Sequence, residues 1–166
     1  MVLAELESID LDIGALRLSD YVRLEQIIEL THCSTRDQAL AQMLDQLADY
    51  KLVEDVCLVR QALSEREQHV STAIGKGIAL PHARLAHFRD FMIAIGIYPE
   101  GICWGSNDHE KVKLIFMVLG PDDKQLEYLR LVAQIVNIVR EEHTRKILLS
   151  AQIAPDLFKL FKNANF

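Results

Sequence analysis

The chain has 166 residues, 50% of them hydrophobic, and a formal net charge of −6. That length and apolar content fit one domain able to bury a real core and exclude a disordered chain. The basic residues form no run, which argues against a nucleic-acid surface and for an acidic, soluble protein.

In chain order, Met1-Val2-Leu3-Ala4-Glu5-Leu6-Glu7 is acidic and lacks a basic region ahead of an apolar run, so it is not a secretion signal. No stretch reaches the roughly 18 apolar residues of a membrane span, and the expectation is a cytoplasmic protein without membrane insertion. Residues 1–18 are weakly patterned and are read as a leader, ahead of one domain over 19–166. Leu24 to Leu30 reads as a first strand. Ser34-Thr35-Arg36-Asp37 predicts a helix start, a hydroxyl cap with an acid three residues on. Leu40, Met43, Leu44 and Leu47 follow at helical spacing. A second helix is predicted from about Glu54 to Ser64 on Val56, Val59 and Leu63, with Arg66, Glu67 and His69 in its extension. Ile78-Ala79-Leu80 is a short buried strand. Phe91 to Tyr98 and Val112 to Leu119 are apolar runs of strand length, separated by the turn-rich Pro99–Asp108. Gly120-Pro121-Asp122-Asp123 opens a long helix, Lys124 to Glu141, with Leu126, Leu129, Val132, Ala133, Val136 and Val139 on its buried side. Helices over Thr144–Ala151 and Pro155–Lys162 close the chain. Alternation of helices and strands without a linker predicts a single α/β domain with helices packed on a sheet.

Cys33, Cys57 and Cys103 are odd in number, far apart and flanked by apolar residues, which suits buried reduced thiols. The six histidines, His32, His69, His82, His87, His109 and His143, form no metal-ligand spacing, and no metal site is expected. His32 and His69 read as structural residues at element ends, and His87, His109 and His143 as solvated. Nucleotide-binding glycine motifs, a serine-hydrolase elbow and a cysteine elbow are all absent from the sequence.

The stretch Thr72-Ala73-Ile74-Gly75-Lys76-Gly77-Ile78-Ala79-Leu80-Pro81-His82-Ala83-Arg84 stands out. Gly75 and Gly77 permit left-handed backbone and a close approach of main chain to a bound group. Pro81 fixes its own φ and biases Leu80 to an extended conformation. His82 would stand rigidly at a strand end, able to act as nucleophile, base or ligand. Arg66 lies sixteen residues upstream, with a guanidinium that matches a phosphate fork. Thr72 offers a hydroxyl, and amides beside Gly75 and Gly77 would complete an anion nest. Such a set suits phosphoryl transfer onto imidazole.

Arg66-Glu67, Ser71 to Gly75 and Gly77-Ile78-Ala79-Leu80-Pro81-His82 together resemble the signature of EIIA domains of the fructose/mannitol type, components of the bacterial phosphoenolpyruvate-dependent phosphotransferase system. The resemblance extends through Gly101-Ile102-Cys103-Trp104 to the long helix near Lys124 and covers roughly residues 20 to 160. It implies an α/β sandwich around a mixed sheet, with no metal or cofactor. His82 would accept a phosphoryl group from HPr or its nitrogen-branch homologue, with Arg66 as the active-site arginine. Such a protein is a phosphohistidine phosphocarrier more than a turnover enzyme.

One position departs from the resemblance. Tyr128, in Tyr128-Leu129-Arg130-Leu131-Val132, stands where the family usually has a second active-site histidine. A phenol can donate a hydrogen bond to a phosphoryl oxygen but cannot carry positive charge. The segment through Leu85 is most similar to nitrogen-regulatory EIIA proteins, which bind partners according to phosphorylation state, and a stand-alone chain without a fused membrane or HPr-like domain is expected. The alternatives are a sugar-transport EIIA that hands the group to EIIB, and a non-catalytic interaction module motivated by Tyr128. Apolar side chains on the late helices are compatible with a homodimer.

Overall fold

The computed structural model describes residues 16–105, 110–164 and 166. Most of the expected leader and His109 lie outside the described residues. At the leader's end Leu18 is 1% exposed and belongs to the core.

Two 3-10 turns, Leu18–Asp20 and Leu24–Gln26, lead into β1 (Ile27–Glu29). The expected strand is shortened because Gln26 closes the second turn, and its amide donates to the carbonyls of Tyr21 and Ile93, each at 2.7 Å. Helix α1 (Arg36–Asp49) starts one residue later than expected. Its capping box is Thr35 with Gln38, not Ser34 with Asp37, because Gln38 reaches back to the Thr35 amide at 3.3 Å. Helix α2 (Val56–His69) is capped by Asp55, which accepts from the Leu58 amide at 2.9 Å. It runs beyond Ser64, so Arg66 and Glu67 sit in its last turn.

Three short strands follow: β2 (Ala73–Gly75), β3 (Ile78–Ala79) and β4 (His82–Arg84). Strands β5 (Met92–Ile102) and β6 (Val112–Gly120) are long and form the sheet centre. The expected turn region is partly strand: β5 continues through Pro99, Glu100 and Gly101, with a register shift between Ile97 and Ile102 that admits the proline. Helices α3 (Gln125–Arg140), α4 (Glu142–Ser150) and α5 (Ala154–Asn163) complete the described elements. On α3, Leu126 is 53% exposed rather than buried, and Tyr128, Leu131 and Ile135 face the core with Val132 and Val136.

The strands make one mixed sheet in the order β1-β5-β6-β3-β2, with β4 also on β6. β5 and β6 run antiparallel, and β1 on β5 and β3 and β4 on β6 are parallel. Helices α1 and α2 cover one face, burying Met43, Leu44, Leu47, Val59 and Leu63. Helices α3 to α5 cover the other, burying Leu131, Ile135, Leu148, Leu157 and Phe161. The result is an α/β sandwich with a core on each side, and β5 and β6, covered on both faces, read as near-continuous apolar runs. Of the three cysteines, only Cys33 is buried; Cys57 and Cys103 are exposed, contrary to expectation. Among the described residues no helix is long and apolar enough to cross a membrane.

Candidate functional site

β3 and β4 are one line of chain interrupted by Leu80-Pro81. Ile78 pairs with Leu114 and His82 with Val118, so the register against β6 does not shift across the break. Pro81 has no amide to give the ladder, but its carbonyl still accepts from Val118 at 3.0 Å. The Leu80 amide bonds the Thr72 carbonyl at 2.9 Å instead. Side chains alternate across this line. Ile78 and Leu80 enter the core under α3, whereas Ala79 and Ala83 enter the core under α1 and α2. The alternation places His82 and Arg84 on the α3 side.

The His82 ring is held at both nitrogens. Arg66 Nε donates to Nε2 at 3.0 Å, and Nδ1 lies 3.2 Å from the Leu80 carbonyl. A guanidinium can only donate, so Nε2 carries no proton and Nδ1–H donates to Leu80. The neutral ring thus presents its lone pair at Nε2. Burial pushes the imidazole pKa down to about 4; the Arg66 and Arg84 charges act in the same direction, while the Leu80 carbonyl and the Glu67 charge oppose them. At neutral pH His82 is a desolvated, uncharged imidazole with a lone pair at Nε2. Arg66 also donates from Nη1 to the Val70 carbonyl at 3.4 Å.

Tyr128, in the first turns of α3, packs beside His82. Their ring centroids are 5.4 Å apart, at 47° between planes, and Phe91 lies beyond at 6.4 Å. The Arg84 guanidinium carbon sits 4.6 Å from the Tyr128 ring centroid, within cation–π range. Arg84 Nη1 also donates to Gln125 Oε1.

Thr72 and the two glycines were expected around the same centre; the glycines lie at the far end of the line, and Thr72, whose carbonyl takes the Leu80 amide, turns its donors away from His82. Thr72 is buried, and its hydroxyl donates to Glu67 Oε2 at 2.5 Å while accepting from Trp104 Nε1 at 3.2 Å. Its amide donates to Glu67 Oε1 at 3.0 Å. Both of its donors are therefore committed to Glu67, and neither is left for a phosphate. Gly75 and Gly77, with φ of 83° and 82°, flank Lys76 at 56° in the β2–β3 hairpin. The two-residue loop Lys76-Gly77 needs positive φ at both positions. The Gly77 carbonyl accepts from Lys113 and Leu114 at the opposite end of this line from His82. His82 pairs four residues further along β6, about 13 Å away at the usual strand rise. The glycines serve the turn rather than an anion nest at His82.

Arg84, Gln125 and Glu67 are the residues that the motif reading left without a role. Arg84 was legible in principle, since a residue two after His82 on a strand shares its face. Among the other histidines, His32 (φ 52°), His69, His87 and His143 are exposed and join no cluster with His82.

The fold is an α/β sandwich in which Arg66 holds His82 on a short strand of the mixed sheet. Residues 20–164 match the family described as "Phosphoenolpyruvate-dependent sugar phosphotransferase system, EIIA 2". The chain belongs to that family. It is 28% identical over 154 residues to the nitrogen regulatory protein of Klebsiella oxytoca, covering 91% of this chain and 93% of that one. It is 30% identical over 119 residues to the fructose-specific EIIA component of Haloferax volcanii, covering 72% and 77%. Nitrogen regulatory protein IIA-Ntr of Neisseria meningitidis shares the fold, with a TM-score of 0.76 at 21% identity, over 87% of this chain and 98% of that one.

Proposed function

We propose that His82 accepts a phosphoryl group at Nε2 from the phosphohistidine of HPr or its nitrogen-branch homologue. The observation that supports this is the neutral imidazole with Nδ1–H tied to Leu80 and Arg66 Nε at 3.0 Å from Nε2. The Nε2 lone pair forms the new N–P bond as the donor's N–P bond breaks, and the bonding pair stays with the donor ring. Positive charge appears on the His82 ring, where the Leu80 carbonyl faces Nδ1–H. Arg66 leaves the lone pair and turns its guanidinium to the phosphoryl oxygens. The phosphorylation state would then set which proteins the chain binds, the reading favoured by its nitrogen-regulatory relative.

Incubation with phosphoenolpyruvate, the general phosphotransfer enzyme and HPr or its homologue tests this. An acid-labile, base-stable adduct should form on the wild type and not on His82→Ala. Label on the His82→Ala variant overturns the assignment.

A second reading, transfer onward to an EIIB, is favoured by the fructose-specific relative. Addition of a fructose-type or mannitol-type EIIB to the phosphorylated protein separates the two. Rapid loss of the adduct to EIIB supports sugar transport, and its retention supports regulation. The third reading, a module that no longer takes the group, follows from Tyr128. It holds if the wild type is inert and Tyr128→His accepts the label.

A further inference from the structure

We propose that Arg84 is the second cation of the phosphoryl site, held beside His82 by the face of Tyr128. The inference rests on the phosphoryl-accepting reading of His82. A phosphoryl group brings a charge of about −1.5 to −2 near neutral pH, and Arg66 balances only part of it. Among the described residues no carboxylate pairs with Arg66 or with Arg84. Two guanidiniums with no ion-pair partner among the described residues, beside one neutral imidazole, are unusual in a chain of net charge −6. An arriving dianion would supply the missing partner.

The geometry supports Arg84 in three ways. Its place two residues after His82 on β4 puts both side chains on the α3 side of the sheet. Its guanidinium carbon stands 4.6 Å from the centroid of the ring that lies 5.4 Å from His82. Gln125 takes only one of its five N–H donors. Stacking on Tyr128 and the Gln125 bond limit the rotamers of a long side chain, so less entropy is lost when it engages a phosphoryl oxygen. Tyr128 cannot be charged as a histidine can, but it carries on its face a group that is always charged. Position 128 then acts as a shelf for the cation.

The test compares the rate of phosphorylation and the lifetime of the phosphohistidine in wild type, Arg84→Gln, Arg84→Lys and Arg60→Gln. Arg60 is exposed on α2 and, among the described residues, pairs with Asp45 at 3.8 Å, so Arg60→Gln makes the same change in net charge away from the site. Arg84→Gln should slow phosphorylation or shorten the adduct's lifetime by roughly tenfold to hundredfold, the scale of one charge-assisted hydrogen bond. Arg84→Lys should recover part of the loss, and Arg60→Gln should match wild type. A dispersed NMR spectrum establishes that Arg84→Gln is folded, and a titration of His82 in it should show a pKa raised from about 4 yet still below the ordinary 6.5, the sign that the Arg84 charge acts on a buried ring. Equal rates and lifetimes in wild type and Arg84→Gln overturn the proposal, as does an equal loss in Arg60→Gln. A wild type that takes no label overturns the phosphocarrier reading itself, and this inference with it.

Discussion

Two polar clusters branch from consecutive residues of α2, and they are built on opposite plans. Glu67 points inward. Its carboxylate accepts the amide and hydroxyl of Thr72, Trp104 completes that hydroxyl, and Arg36 Nη1 stands 3.9 Å away. Each donor there has an acceptor, and the glutamate side chain is 3% exposed. Arg66 points outward to His82, and Arg84 approaches the same ring from β4. There the cations have no carboxylate among the described residues. A closed buried network specifies a structure; an uncompensated group of like charges raises the free energy of the resting fold and stabilises a ligand of opposite sign. Glu67 with Thr72 is the closed half of this pair, and Arg66 with His82 and Arg84 the open half.

The largest test of that contrast is Glu67→Leu. It leaves the Thr72 amide and hydroxyl buried without acceptors and should cost about 2–5 kcal/mol in denaturant unfolding. Glu67→Gln keeps one acceptor and should cost less. A loss under about 1 kcal/mol in Glu67→Leu would mean that the closed cluster does not hold the end of α2.

The second test is pH. The His82 pKa is depressed in the fold, to about 4 from an ordinary value of 6.5. Between those values the unfolded chain binds the proton and the folded chain does not. Stability is therefore lost as pH falls from about 6.5 to about 4, by at most about 3 kcal/mol, with no further loss from this group below that window. His82→Gln should flatten the dependence in that window. An unchanged pH slope in the variant would show that the ring is not held neutral.

Much of this was legible in the sequence, and the parts that were not have physical reasons. The pairing of Pro81 with His82 and the upstream Arg66 pointed to the centre that the fold assembles, because strand and helix periodicities fix those positions locally. Gly75 and Gly77 were assigned to the same centre because they are near His82 in sequence, and Thr72 because its hydroxyl's buried partner Glu67 could not be foreseen. In a strand, five residues of separation are some 16 Å of distance, and a hairpin spends its glycines on its own turn. The third prediction follows: Gly77→Ala forces a side chain into positive φ and should cost about 1–2 kcal/mol in thermal or denaturant unfolding. The rate of phosphoryl acceptance should stay at the wild-type value. A loss of acceptance in the folded variant would return the hairpin to the site. Glu67 could not be assigned from sequence, since its partners Thr72 and Trp104 come together only through the sheet. Leu126 was expected inside because apolar spacing alone does not fix which edge of a helix stripe is covered.

The smallest expected effect on stability belongs to the residue that holds Nε2 of His82. Arg66 is half-buried, has no carboxylate partner among the described residues, and makes one bond to His82 and a long one to Val70. Arg66→Gln removes a charge that no carboxylate pairs with among the described residues and keeps an amide able to donate, so unfolding free energy should change by only about 0.5 kcal/mol in either direction, the range of weak charge contacts. The same substitution takes away one of the influences that depress the His82 pKa, which should rise in an NMR titration. Phosphoryl acceptance should fall steeply, because the group that neutralises the incoming oxygens is gone. A fold left intact, a ring made more basic and a transfer step lost would together separate binding from structure at adjacent residues of one helix turn. If Arg66→Gln instead destabilised the protein as much as Glu67→Leu, the two clusters would have to be treated as one structural network, and the case for an anion site at His82 would lose its physical basis.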